Sequence, residues 1–504
     1  MRNKYIITAL VATLMASCAD FEEININPNN PASVPPEMLL PPIISGAVAT
    51  MTESGGRAGQ YVQHLAWVGG TSEGDGRYNL TGASYREEWN AATRLIKDVN
   101  QLKEIASATG QPRYEAVGHV CKAYILALVA DAFGDIAYDE AGMGNVDGLE
   151  FPRYQAQQEV YERILEDLER ANQLFAALPA GEVISRDILY NGDPAAWRRF
   201  ANSLKLRVLT RQSAKINVAT AVAAIFNDPV AYPVFESVDD QAVLVYNNQT
   251  DDYKWFIKTP PADGSGVDFA DNGRVSKVMV DMLARDNDPR LVVYAAPTRN
   301  SYNARRADPT APLEYRGQPA GLSAAEQEAL YASEGTGNGD YSVIGKRIRV
   351  ENRAFLMTYA ELLLIKTEAI ARGMIAGDAA AAYRAAITAS FDKWPVTGDA
   401  PGITAEMKEA YFANPATAYD PANALTRVAE QAWIDAFLNG FEGWSSWRRV
   451  GIPVIAPGPS VLSPVPVRYT YSDNEQNNPS LIEWVNEKMG GKMPDHNVKV
   501  WFQP

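Results

Sequence analysis

Glu361 and Glu368 lie seven residues apart in a helix-forming stretch, two carboxylates on one face, which is the residue type of a general acid and its partner. At about 1.5 Å rise per residue their backbones are roughly 10 Å apart, and pairing with arginine or a helix end fits that spacing better than catalysis. Gly70-Thr71-Ser72-Glu73-Gly74 spells the G-x-S-x-G pattern of a nucleophile elbow, but it sits in a Gly-rich stretch with no apolar strand before it and no helix after it. Gly345-Lys346 lacks the spaced upstream glycine and the following Ser/Thr of a phosphate loop. Asp286, Asp288 and the acidic stretch 263–271 offer oxygen ligands for Ca2+ without the spacing of an EF-hand, so a solvated turn is the preferred reading. The three histidines, at 64, 119 and 496, and the two cysteines, at 18 and 121, cannot build a thiolate or imidazole metal centre. No cofactor, no metal and no enzymatic activity are therefore expected.

Binding chemistry is better represented. The chain has 10 Trp and 24 Tyr against 15 Phe, and the first two rings carry an apolar face with a polar edge. A pyranose presents C–H bonds on one face and hydroxyls at its rim, so an aromatic platform with nearby Asn, Asp and Arg suits it. Helical cores use the same aromatics, which restricts the useful candidates to irregular segments. These are Trp67, Arg77, Tyr78 and Asn79 in a first stretch, Tyr253, Trp255 and Phe256 in a second, and Tyr302 and Tyr315 further on. A net charge of -15 repels phosphate backbones and excludes nucleic acid as a partner.

The elements that must carry these residues are mostly helices. Val117, Val120, Tyr124, Leu128 and Val129 recur at three- and four-residue spacing with alanines between them, which predicts a helix over 113–132 packed on more than one side. The period repeats from Val160 to Leu178. Asp193-Pro194 reads as a cap and first turn for a helix carrying Trp197, Ala201, Leu204 and Val208. Further helices are expected over Phe355–Arg372, Asp378–Phe391 and Leu425–Asn439. The expected fold is mainly all-α, tetratricopeptide-like helix pairs without a strict repeat, with long irregular loop insertions and a few short strands such as Ala242–Tyr246. Residues 68–83 and about 232–350 are the expected insertions, the kind of structured loop that carries binding surface.

The first residues decide the compartment. Arg2 and Lys4 precede an apolar run from Tyr5 to Leu14, too short to span a bilayer, which reads as a signal peptide over 1–17. Met15-Ala16-Ser17-Cys18 resembles a lipoprotein processing site, which makes Cys18 the lipid attachment residue and a membrane surface the destination. Cleavage there leaves 44 basic against 61 acidic residues, a net charge of -17. Asp20, Glu22 and Glu23 fit either an acidic surface-export signal, and so a protein facing the cell exterior, or a solvated tether. Pro28 and Pro31 push the residues before them out of the helical region, so 18–40 is expected as a lipidated tether and extended strap, with a single helical domain over 41–504.

The chain resembles the SusD/RagB family of nutrient-binding outer-membrane lipoproteins, in its SusD-like branch. The likeness rests on Phe21-Glu22-Glu23-Ile24-Asn25, on Asp131-Ala132-Phe133-Gly134-Asp135, on Trp197-Arg198-Arg199-Phe200-Ala201-Asn202, on Thr358-Tyr359-Ala360-Glu361, on Thr367-Glu368-Ala369, and on Asn439-Gly440-Phe441-Glu442 through Trp447-Arg448-Arg449. Ala137 stands where the family commonly has Pro, and Tyr471-Ser472 replaces a commoner Tyr-Pro. The resemblance implies a protein that catalyses nothing, binds an oligosaccharide or a peptide, and serves as the lid of a SusC-like TonB-dependent transporter. The competing reading is a lipid-anchored helical glycosidase. The motif residues themselves read as structural: Phe133-Gly134-Asp135 as a turn between helices, Trp197, Asn202 and Arg207 as partners of buried groups, and Trp444, Trp447, Arg448 and Arg449 as core and salt-bridge residues.

Overall fold

A computed structural model describes residues 34–69, 74–144, 149–246, 267, 273–396 and 400–504. Cys18, the signal peptide and the acidic segment lie outside these residues, as do Tyr253, Trp255 and Phe256. The first helix, α1, spans Pro36–Tyr61, so it begins inside the segment expected to be extended. Pro36 fits the first turn, where its missing N–H costs nothing, and the apolar stripe Leu40, Ile43, Ile44, Ala47 and Val48 is fully buried and holds the helix in place despite Pro41 and Pro42.

The helical half follows the periodicity closely. Helices α2 (Arg86–Ala108), α3 (Pro112–Phe133), α4 (Gln157–Ala176) and α5 (Pro194–Arg211) pack in sequence, each on the next. The 22-residue α3 is long and apolar enough to cross a membrane, yet 94% of its apolar window is enclosed by its neighbours, which explains why it has no polar face. The Asp193 carboxylate accepts from Ala195 N at 2.8 Å and caps α5. The short α6 (Ala219–Asn227) follows α5; a second group of paired helices is α12 (Tyr359–Ala371), α13 (Ala379–Asp392), α15 (Ala424–Asp435) and α16 (Gly440–Val450), with the short α14 (Ala405–Ala413) between α13 and α15, and α16 closes back on α1.

Two expectations are corrected. Residues 353–357 form a strand, β4 (Arg353–Met357), antiparallel to β2 (Ala242–Val245), and the helix starts only at Tyr359, where the Thr358 hydroxyl accepts from Glu361 N at 2.9 Å. The fully apolar run Phe355-Leu356-Met357 is buried on both sides, so its periodicity does not distinguish strand from helix. The helix expected to reach Asn439 stops at Asp435, and Leu438 takes φ 69° in the turn to α16. The insertion at 232–350 holds, between its irregular stretches, the short helices α7 (Lys277–Arg285), α8 (Leu291–Tyr294), α9 (Arg299–Ala307), α10 (Ala324–Glu334) and α11 (Lys346–Glu351). Side-chain caps from Ser276, Thr298 and Ser323 start three of them, compensating for lengths too short to show a hydrophobic period.

Buried ion pairs lock the layers together. Arg207 on α5 grips Glu361 on α12 with Nε at 2.5 Å and Nη2 at 2.6 Å, and Arg211 holds Glu442 on α16 at 2.5 Å. Burial raises the Glu361 carboxyl above the usual carboxylate range; Arg207 opposes the rise, and Glu442, beside the same guanidinium, adds to it. Glu368 is bound by Arg449 through two contacts of 2.6 Å and by Arg372 at 2.8 Å. The carboxylates at seven-residue spacing are thus two separate arginine sites, each joining helices. Trp197 is 1% and Trp444 0% exposed, and Arg448 stacks on Trp444 at 3.6 Å.

Candidate functional site

Strand β1 (Leu65–Trp67) pairs antiparallel with β3 (Gly273–Val275), Leu65 opposite Val275 and Trp67 opposite Gly273. This short ribbon is where the first loop meets the insertion. Leu65 and Trp67 share one face of the strand; Leu65 is buried, and Trp67, at the strand end, is partly exposed. The Trp67 indole N–H is enclosed and has no acceptor among the described residues, so what the side chain offers outward is its ring. Gly273 opposite has no side chain to cover that ring.

Trp67 is braced by α10, which is tied in turn to a strap around Ser460 and through it to the loop at Arg77. Gln327 on α10 accepts from Gly69 N at 2.9 Å and donates to the Trp67 carbonyl at 3.4 Å, which fixes the strand end against the helix. Ser323 and Glu326 form a capping box at the start of α10, and Ser460 donates its hydroxyl to the same Glu326 carboxylate. The strap around Ser460 is tied to the first loop by Arg77, whose Nε donates to Ser460 O at 2.7 Å, and by Leu462 N donating to Arg77 O at 2.8 Å. Asn79 lies exposed on the same loop. The result is a partly exposed indole at the end of a ribbon braced by the buried Gln327, with Arg77 and the exposed Asn79 on the neighbouring loop, an arrangement that can stack a flat apolar face.

Of the residues expected to touch a ligand, Trp67, Arg77 and Asn79 share this surface. Tyr78 does not, and this corrects the expectation: it is 3% exposed, packs edge-on to Tyr61 at 5.7 Å and has its hydroxyl pushed up to about 12 by burial. The left-handed backbone at Tyr78, φ 58°, turns its ring inward and its neighbours outward, and alternation in the sequence does not reveal that reversal. Tyr302 is half-buried against Val267, Ala296 and Val343, and Tyr315 is half-buried against the main core. Gln327 and Ser460 were absent from the sequence reading, since each reaches the site through a contact spanning more than 250 residues and no local pattern marks it.

The fold and this surface define a class: a helix-pair scaffold that presents an irregular loop face with an aromatic and polar rim. The family described as "Starch-binding associating with outer membrane" (SusD-like) matches residues 28–472, and the chain belongs to that family. Solved structures agree in fold. A SusD homologue from Bacteroides fragilis is 22% identical, with 94% of this chain and 99% of that one aligned at a TM-score of 0.73. A chitin-binding protein is 24% identical, covering 93% of this chain and 99% of its own at a TM-score of 0.75. A chitin-binding SusD homologue from Flavobacterium johnsoniae is 22% identical, covering 91% and 98% at a TM-score of 0.68. No curated protein matches the chain.

Proposed function

We propose that this chain is a non-catalytic, cell-surface lipoprotein, acylated at Cys18 and anchored in the outer membrane, that captures an oligosaccharide on its loop face and delivers it to a SusC-like TonB-dependent transporter. The observation that carries the reading is the partly exposed Trp67, at a strand end that Gln327 of α10 fixes, with α10 tied through Glu326 and Ser460 to Arg77 of the first loop. Tyr253, Trp255, Phe256, Tyr302 and Tyr315 belong to the same proposal as further ligand contacts. The family's description and the chitin-binding relatives support a glycan over a peptide. A glycosidase would need a free carboxylate pair, and Glu361 and Glu368 are both engaged by arginines.

The test is calorimetry of the purified protein with maltooligosaccharides and chitooligosaccharides, run beside a reducing-end assay. Binding without new reducing ends is the expected result, and Trp67→Ala and Trp255→Ala should each weaken it by about tenfold or less, the scale of one stacked ring. Release of new ends, or undiminished binding by both variants, refutes the reading. Globomycin should block maturation, and mild-detergent extraction should bring down a TonB-dependent barrel with the native protein.

A further inference from the structure

The C-terminal segment makes a cavity that none of the loop-face residues lines. It has a volume of about 400 Å³ and lies between the end of α3 and the stretch following α17 (Pro479–Lys488). Its floor is apolar: Trp501, half-exposed, with the thioether side chains of Met489 and Met493 and the buried Val500. Its charge is cationic, in a chain whose net charge is -15. Arg468 lines it at 3% exposure, donating to the carbonyls of Phe133 and, at 3.2 Å, Tyr469. No carboxylate among the described residues pairs with it, whereas the equally buried Arg207, Arg211 and Arg290 each hold one at 2.5 Å. The one carboxylate in the cavity wall, Asp135, accepts from Gln157 N at 2.8 Å and Trp484 Nε1 at 2.9 Å, and it stands against three cations of the same wall, Arg468, Lys492 and Lys499. Lys492 stands exposed at the mouth.

We propose that this cavity is a second ligand site, for a small molecule with a flat apolar body and a single carboxylate. The Arg468 guanidinium is held by carbonyls and lies 5.3 Å from the Tyr471 ring centre, with no carboxylate in contact, so an anion placed beside it gains a direct Coulombic partner. Gly134 keeps the approach open. Its φ of +87° disfavours any side chain, and a Cβ there would stand 3.5 Å from Arg468 Nη2 and 3.3 Å from Val500. Trp501 and the two methionines suit a flat apolar ring, by stacking and by sulfur–aromatic contact. The same floor offers few partners to a hydroxylated body, so a sugar acid satisfies the charge and wastes its hydroxyls.

The experiment is calorimetry of the full chain with three probes: ferulate, its neutral methyl ester, and galacturonate. Ferulate is expected to bind, with the ester and galacturonate each at least about tenfold weaker, and binding should fall as salt rises. Arg468→Met should abolish the preference for acid over ester. Should that variant fail to fold, Lys492→Glu, at an exposed position, should weaken ferulate and leave the ester unchanged. Trp67→Ala should leave ferulate binding intact, which separates this site from oligosaccharide capture on the loop face. No ferulate binding, equal binding of acid and ester, or galacturonate binding as tightly as ferulate would overturn the proposal.

Discussion

Glu368 shows how single residues here divide between stability and surface. Burial alone would raise its carboxyl, but Arg449 and Arg372 outweigh that effect and draw it down to about 2. A depressed folded value means the carboxylate stabilises the protein above its unfolded pKa of 4.5, and that stability drains away as pH falls from 4.5 through about 2. The loss should reach on the order of 2–3 kcal/mol from this group, and urea midpoints measured down the acid range should show Glu368→Gln flattening that limb. His64 acts in the same direction at higher pH. Its ring is fully buried, with Nε2 2.9 Å from Trp433 O, and burial lowers it from 6.5 to about 3, so stability falls as pH drops below 6.5. At the site, neighbours with similar letters should behave oppositely. Tyr78→Ala should cost about 3–5 kcal/mol by emptying a packed position. Trp67→Ala should cost roughly 1 kcal/mol or less in melting experiments while weakening glycan binding. A reversal of that order would exchange their roles. Sequence alone nominated both, because composition and loop position are the same for each; the positive φ at Tyr78 separates them.

At the level of elements, the caps are the sensitive points. α10 has 11 residues and few buried side chains, so its start depends on the Ser323–Glu326 box, and Glu326 also accepts from Ser460 in the strap. Ser323→Ala should lower stability by about 1 kcal/mol and weaken ligand capture as well, because Gln327 one turn later fixes the Trp67 strand end. Unchanged affinity in a folded Ser323→Ala protein would detach α10 from the site. The long helices α3, α4 and α5 were legible because each buries a repeating stripe over five or more turns. The five helices of the insertion were not, since at 4–11 residues they are held by caps and neighbours. Strand β4 was read as helix for a related reason: its apolar run is buried against β2, and only the partner strand, more than 100 residues earlier, decides the conformation.

Over the whole molecule, one apolar cluster runs from Leu40 to Phe502, and the last residues are part of it. Tyr469 N donates to Ala132 O at 2.7 Å, and Phe502, 0% exposed, sits over Arg211 and Arg448. Removing residues 494–504 should therefore destabilise the helical half by at least the 3–5 kcal/mol or so expected for Phe502 alone. Circular dichroism and tryptophan fluorescence should follow one coincident transition in the intact chain; separate transitions would mean that the C-terminal segment folds apart from the helices. The helix pairs, their capping at Asp193, the membership of a nutrient-binding family and the segments that carry its loop face all follow from local periodicity and motif order, which are properties of neighbouring residues. Tertiary structure alone decided that Tyr78 points inward, that Gln327 braces Trp67 while Ser460 ties α10 to Arg77, and that Arg468 lies buried with no carboxylate in contact. Those outcomes depend on contacts between residues tens to hundreds of positions apart, where side-chain type leaves the choice of partner open.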